Sequence, residues 1–297
     1  MKIGMVGLDT SHCPAFTGIL NDEKEEFYVP GGEVVGAYPG GSDLFSHSRN
    51  RVKGFTERLA DEYGIAMYAS IPELVRDVDA ILLESVDGRQ HLEQFKQMAV
   101  GKPVFIDKPF ATSTADAREI IRLAKETNTP IMSSSSLRYS AGISDVVAQG
   151  EQVVSCEAFG PAAILDDYPG LFWYGIHSAE ILFSFMGTGC KAVRCISYDD
   201  VDLVIGEWND GRVGVVRGTR FAKGSFGCVV HTDAGVRCGL AQPRPPGYYC
   251  LLQRVIEFLE GGVSPVAIEE TFGITAFLEA ADRSREQGGK TVFPEPL

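Results

Sequence analysis

The chain has 297 residues, 44% of them hydrophobic, and a formal net charge of -13. That is enough apolar material for one large or two moderate globular cores, and the acidic balance argues against nucleic acid or an anionic membrane as partner, because both select basic surfaces. No apolar run reaches the roughly 18 residues of a membrane span.

The first residues, Met1-Lys2-Ile3-Gly4-Met5-Val6-Gly7, enter a strand pattern directly rather than a signal peptide, and the seven cysteines show no C-x-x-C pair. Most of the cysteines fall in apolar stretches, where a free thiol behaves as a small hydrophobe. A cytoplasmic protein with reduced cysteines is expected.

Up to residue 133, short β-rich runs alternate with helical patterns, the runs being 2–6, 33–37, 67–69, 80–83, 104–106 and 131–133. Such alternation predicts an α/β domain with a doubly wound parallel sheet, a Rossmann dinucleotide-binding domain over 1–133. A helix is predicted over 114–127, with Ala117, Ile120, Ile121 and Ala124 on one apolar face and Ser113 or Thr114 as its cap.

Beyond the run Ser133-Ser134-Ser135-Ser136 the pattern changes. Strands over 191–240 are separated by Asn209-Asp210-Gly211 and Asp233-Ala234-Gly235, which reads as an antiparallel meander. Helices follow over 249–261 and 268–287. A second α/β domain, 134–297, is expected to carry a mostly antiparallel open sheet, to bind substrate and, through that sheet, to form a homo-oligomer.

In a dinucleotide fingerprint the first glycine makes the turn, the second admits the pyrophosphate and the third lets helix pack on strand. Here the series is Gly7-Leu8-Asp9-Thr10-Ser11-His12, so Asp9 and His12 replace the second and third glycines. Asp9 is expected to turn inward and cap the helix, leaving Thr10 and Ser11 as phosphate donors at its N-terminus. The second strand runs into Tyr38-Pro39-Gly40-Gly41-Ser42 without an acid for the ribose; Ser42, Ser46, Ser48, Arg49, Arg51 and Lys53 would suit a 2′-phosphate, so the cofactor is NAD or NADP.

After the fourth strand comes Glu84-Ser85-Val86-Asp87-Gly88-Arg89-Gln90-His91, with His91 at a helix start. The fifth ends Val104-Phe105-Ile106-Asp107-Lys108-Pro109, where Pro109 removes a ladder donor and stops the strand. Lys108 therefore projects from the carboxyl edge of the sheet, where open α/β sheets bind ligands. Asp9, His12, Glu84 and Asp87 form a further polar group that could hold a divalent ion, but scattered ligands on three loops are a weak signal and no metal is expected.

The passage from Asp79 to Pro109 resembles the glucose-fructose oxidoreductase / inositol dehydrogenase (Gfo/Idh/MocA) family, whose E-K-P motif is D-K-P here; the resemblance extends over nearly the whole chain. It implies a Rossmann domain joined to an α/β domain with an open sheet, His91 at the family's helix-start histidine, and a cofactor site drawn from Gly7, Asp9, Thr10, Ser11, His12, Ser42, Arg49, Glu84, His91, Asp107 and Lys108. Tyr174-Gly175-Ile176-His177-Ser178-Ala179-Glu180 is similar to the family's D-x-G-x-H-x-x-D segment, which places His177 on its catalytic histidine and Trp173 where an aspartate usually stands. The resemblance also implies a substrate side formed by Lys108, Arg138, Trp173, His177 and Glu180.

An NAD(P)-dependent oxidoreductase acting on a sugar, polyol or related hydroxy compound is the first reading, with Lys108 polarising the oxygen and His177 exchanging the proton. A non-redox ligand-binding or regulatory member of the family is the second, and a metal-assisted hydrolase or lyase the third.

Overall fold

The computed structural model describes residues 1–220 and 224–297, which form two compact units. The first comprises Met1–Ala111, Ala115–Ser134 and Tyr248–Ile268, and the second Thr112–Thr114, Ser135–Gly247 and Glu269–Leu297. Among the described residues no helix is long and apolar enough to cross a membrane.

The first unit is built on strands β1 (Lys2–Val6), β2 (Glu33–Tyr38), β3 (Ala66–Met67), β4 (Ala80–Leu83), β5 (Val104–Ile106) and β6 (Ile131–Met132). They form one parallel sheet in the order β3-β2-β1-β4-β5-β6, so the order reverses between β1 and β4. Strands β4 and β5 are buried along their whole length, which is why both read as unbroken apolar runs. The helices of this part are α1 (His12–Asn21), α2 (Ser46–Arg49), α3 (Val52–Tyr63), α4 (Ile71–Asp77), α5 (His91–Phe95) and α6 (Thr114–Glu126). The predicted apolar face of α6, Ala117, Ile120, Ile121 and Ala124, is buried.

The second unit holds β7 (Val153–Pro161), α7 (Gly175–Met186), β8 (Cys190–Tyr198), β9 (Val201–Trp208), β10 (Val213–Thr219), β11 (Gly227–Thr232) and β12 (Gly235–Leu240). Its sheet runs β12-β11-β7-β10-β9-β8. The sequence pattern anticipates the antiparallel β8-β9-β10 and β11-β12 pairings, but β7 is inserted between β10 and β11, parallel to the first and antiparallel to the second, so a plain meander is corrected to a mixed sheet.

On β10 the buried side carries Gly214, Val216 and Gly218, whereas Val213, Val215 and Arg217 lie on the open face. A Cβ on Gly214 would lie 2.9 Å from Leu182 of α7 and 3.1 Å from Trp208. The missing side chains thus make room for the helix and the indole, which fill the core from the other side. Helices α8 (Gly247–Gly261) and α9 (Ile268–Glu286) complete the chain; apart from Gly247, α8 belongs to the first unit, and apart from Ile268, α9 belongs to the second.

Candidate functional site

The carboxyl ends of β1, β4 and β5 lie side by side, and the chain leaving each strand is tied to its neighbour. Gly7 donates its N–H to Tyr38 O, Glu84 donates to Val6 O at 2.7 Å, and Asp107 donates to Leu83 O at 2.8 Å. Gly7 has φ +88, and a Cβ there would sit 2.5 Å from the backbone of Ser85, so glycine is required both by conformation and by the closeness of the β4 loop. This arrangement directs three side chains from three loops toward one point.

His12 Nδ1 lies 3.1 Å from Asp107 Oδ2 and 3.4 Å from Glu84 Oε2. Lys108 Nζ stands 3.5 Å from Asp107 Oδ2. Glu84 is 0%, Asp107 1% and His12 7% exposed, so water screens none of these charges well. The imidazole stacks on Phe16 and meets the edge of Tyr248, with ring centroids 5.1 and 4.8 Å away. None of the approaches to His12 Nδ1 has hydrogen-bond geometry, and both oxygens of Glu84 and both of Asp107 are buried without a hydrogen-bond partner.

The electrostatics follow from this crowding. Burial alone would push His12 down, but the Asp107 charge, with Glu84, overrides it and raises the imidazole to about 9. Burial raises Glu84 to about 7, and the Asp107 charge adds to the effect. Asp107 is also penalised by burial, yet the charges of His12 and Lys108 hold it well below the usual carboxylate range.

Asp9 does not cap α1, as the sequence reading has it. Its Oδ1 accepts the Val86 N–H at 2.9 Å and its Oδ2 the Ser48 hydroxyl at 2.6 Å, while Ser11 at the helix N-cap makes no side-chain bond. Burial raises the Asp9 carboxyl despite these two bonds. Ser48 in turn accepts from Ser42 N–H, and the Ser42 hydroxyl donates to Asp87, which also holds the Arg89 guanidinium at 2.8 Å. Loops after β1, β2 and β4 are therefore laced together, and Asp9 and Asp87 are taken up by the protein's own donors.

The other expected cofactor residues separate into two groups. Thr10 is buried, its Oγ1 receiving His12 N–H, whereas Ser11 is exposed. His91 is buried between Ser85 O at 2.7 Å and Phe110 O at 3.2 Å, a staple between loops. Arg49 donates to Asp43 O, and Arg51 Nε to His47 O at 2.8 Å, but Arg51 Nη2 is buried without a hydrogen-bond partner.

In the second unit His177 lies in the first turn of α7, its Nδ1 2.7 Å from Ser135 Oγ, and the Ser135 hydroxyl also accepts Leu137 N–H. Aromatic rings surround it, Tyr174 and Phe226 at centroid distances of 5.7 and 5.2 Å. Trp173 contacts Tyr168 and Tyr174. Arg138 and Glu180, both expected to face substrate, are joined at 3.1 Å, with Glu270 as the second partner of the guanidinium. Burial raises Glu180 even against the Arg138 charge.

Sequence reasoning lists His12, Glu84 and Asp107 together among the cofactor residues but leaves Asp107 out of the candidate metal group, and it misses Phe16, Tyr248 and Ser135 altogether. The serine run after β6 is a usable signal for Ser135. Nothing local announces Tyr248.

Residues 1–135 match a family described as an oxidoreductase family with an NAD-binding Rossmann fold. The matching family is Gfo/Idh/MocA, and the similarity lies within the first part of the chain. Among the family's relatives in sequence, an uncharacterized oxidoreductase of Streptococcus pneumoniae is 30% identical over 89 residues, which are 29% of this chain and 24% of that protein. The D-xylose 1-dehydrogenase (NADP(+)) of Hypocrea jecorina is 29% identical over 111 residues, 36% of this chain and 28% of the other. The alignments thus take in only about a quarter of each relative's length. The myo-inositol dehydrogenase of Lactobacillus casei, solved with NAD(H) and myo-inositol, superposes over 100% of this chain and 97% of its own with a TM-score of 0.75 at 16% identity, a likeness of fold.

Proposed function

We propose that the protein is a nicotinamide-dependent oxidoreductase that oxidises a hydroxyl carbon of a sugar, polyol or related hydroxy compound, or runs the reverse reaction. The observation that carries this reading is Lys108, seated at the carboxyl edge of β5 beside Asp107 in a unit of the NAD-binding family. The inward turn of Asp9 supports a dinucleotide at this edge, because the carboxyl is bonded to Val86 and Ser48 rather than presented to a pyrophosphate. Arg51 Nη2, buried and without a hydrogen-bond partner, supports a phosphate contact nearby. NAD is the cofactor of the family description, and Arg51 with Arg49 keeps NADP as the alternative.

A bound nicotinamide would supply the hydride acceptor. Lys108 would donate to the substrate oxygen, stabilising the alkoxide as the carbonyl forms, and His177 would take the hydroxyl proton. The Ser135 hydroxyl beside Nδ1 supports that role, because it holds the imidazole in one orientation. Trp173 would wall the substrate in.

For a partner, the reading takes a second copy of the chain on the open face of the second sheet. Val215 lies there opposite Ile205, and Val213, Val236 and Leu240 are 43%, 55% and 50% exposed. A cytoplasmic location goes with it. The rival reading, a member that binds ligand without redox chemistry, draws on Asp9 and His12 in place of two fingerprint glycines. Calorimetric titration with NAD, NADH, NADP and NADPH separates the two: tight binding of one pair is expected, and binding of none would overturn the oxidoreductase.

A further inference from the structure

We propose that His12, Glu84 and Asp107 form a binding site for one divalent transition-metal ion of the zinc kind. Their ligand atoms, one from each side chain, all lie within 4.8 Å of one another, and all three residues are buried. Two carboxylates removed from water with all four oxygens lacking hydrogen bonds are costly, and native structures resolve such groups with a partner, a water or an ion. The deficit here is of positive charge and donors, not of acceptors. His12 carries at most one proton at Nδ1, and Lys108 approaches Asp107 alone among the ion pairs of the described residues.

The spacing suits a metal. Zinc–ligand bonds to nitrogen and oxygen are about 2.0–2.2 Å, which in a tetrahedron separates two ligand atoms by roughly 3.3–3.6 Å. The separations from His12 Nδ1 are 3.4 and 3.1 Å, close to that spacing, and the third lies within 4.8 Å. One imidazole and two carboxylates, with no thiolate, favour a borderline ion over a soft one.

Three protein ligands leave a fourth position open, the arrangement of a metal that binds water or a substrate oxygen rather than one that only braces the fold. Phe16 and Tyr248 flank the imidazole and give the site an apolar wall. Asp9 and Asp87, the acids that sequence reasoning sets beside His12 and Glu84, take no part, since both are occupied by hydrogen bonds. The site stands whether or not nicotinamide chemistry occurs.

The test uses the full chain stripped with a chelator and titrated calorimetrically with Zn²⁺ in the absence of nucleotide, so that its result is independent of the oxidoreductase reading. One equivalent binding at micromolar affinity or tighter is expected. Glu84→Gln and His12→Gln, each checked by circular dichroism for the wild-type fold, should weaken it by at least about 100-fold, more than the loss of an outer-shell group. Should either variant not fold, crystals of the wild-type protein soaked in Zn²⁺ and measured at the zinc edge give the answer alone. An anomalous peak within bonding distance of His12 Nδ1, Glu84 and Asp107 supports the site. No stoichiometric binding by the wild type, unchanged affinity in both folded variants, or a peak only elsewhere would overturn it.

Discussion

The Asp9 carboxylate accepts the Val86 N–H at 2.9 Å, binding the loop after β1 to the loop after β4 at the point where the strand order reverses. A residue that looks like a defect in a phosphate loop is in this chain a structural tie. Restoring the fingerprint by Asp9→Gly would remove the carboxylate that accepts from the Val86 N–H and the Ser48 O–H. The expected outcome is a loss of about 1–3 kcal/mol of stability in urea unfolding, with dinucleotide affinity unchanged or weaker. A gain in affinity at undiminished stability would show that the aspartate only obstructs.

Lys108→Met should leave the fold and cofactor affinity nearly intact while lowering turnover by on the order of 10²- to 10⁴-fold, the worth of a positioned proton-transfer group. His177→Asn should act in the same direction. The double variant should cost much less than the product of the two, because groups that work as one unit are not additive. Steady-state kinetics on a substrate found by screening sugars and polyols decides it, and full activity in Lys108→Met refutes the assignment.

Asp282 gives a pH dependence to stability. Both of its oxygens face Leu171 N–H, at 3.0 and 3.3 Å, and burial raises the carboxyl to about 6 from an ordinary 3.8. The folded state therefore holds the proton more tightly than the unfolded chain. Its stabilising contribution is complete below about pH 4 and is lost as pH rises through 6, on the order of 1–3 kcal/mol. Asp282→Asn keeps an acceptor for Leu171 and cannot ionise, so thermal melts should show it more stable than wild type at pH 8 and equal at pH 4. Parallel curves for the two proteins would remove Asp282 from the account.

The open face of the second sheet predicts an oligomer that one charge disrupts. Ile205→Glu, opposite Val215, should convert the sedimenting species to monomer while leaving the circular dichroism spectrum unchanged. A wild-type protein that sediments as a monomer at micromolar concentration would count against the interface.

How much of this was legible depended on whether the cause was local. Strands β4 and β5 announce themselves as apolar runs because the sheet is covered on both sides, and Pro109 announces the end of β5. Strand β7 does not, since Ser155, Glu157 and Phe159 mix polar and apolar groups on its open face and its neighbour β10 lies more than fifty residues away. His12 and Glu84 stand out as chemically odd occupants of familiar positions. That Asp107 joins them follows from the adjacency of β1, β4 and β5, a property of strand order that no single motif encodes. The inward turn of Asp9 was foreseen, but not its partners, because Val86 and Ser48 come from other loops.

The chain passes from one compact unit to the other after Ala111, Thr114, Ser134, Gly247 and Ile268. Helix α8 is therefore made long after the sheet it completes, and Tyr248, which covers His12 and Phe16, reaches the first unit only when the second has been threaded through. A ribosome that has released residues 1–134 has produced every strand of the parallel sheet but not the lid over its most charged corner. Expressed as a fragment ending there, the first unit would lack the ring that packs on His12 and Phe16, so isolating that unit calls for a circular permutant or an internal deletion rather than a stop codon.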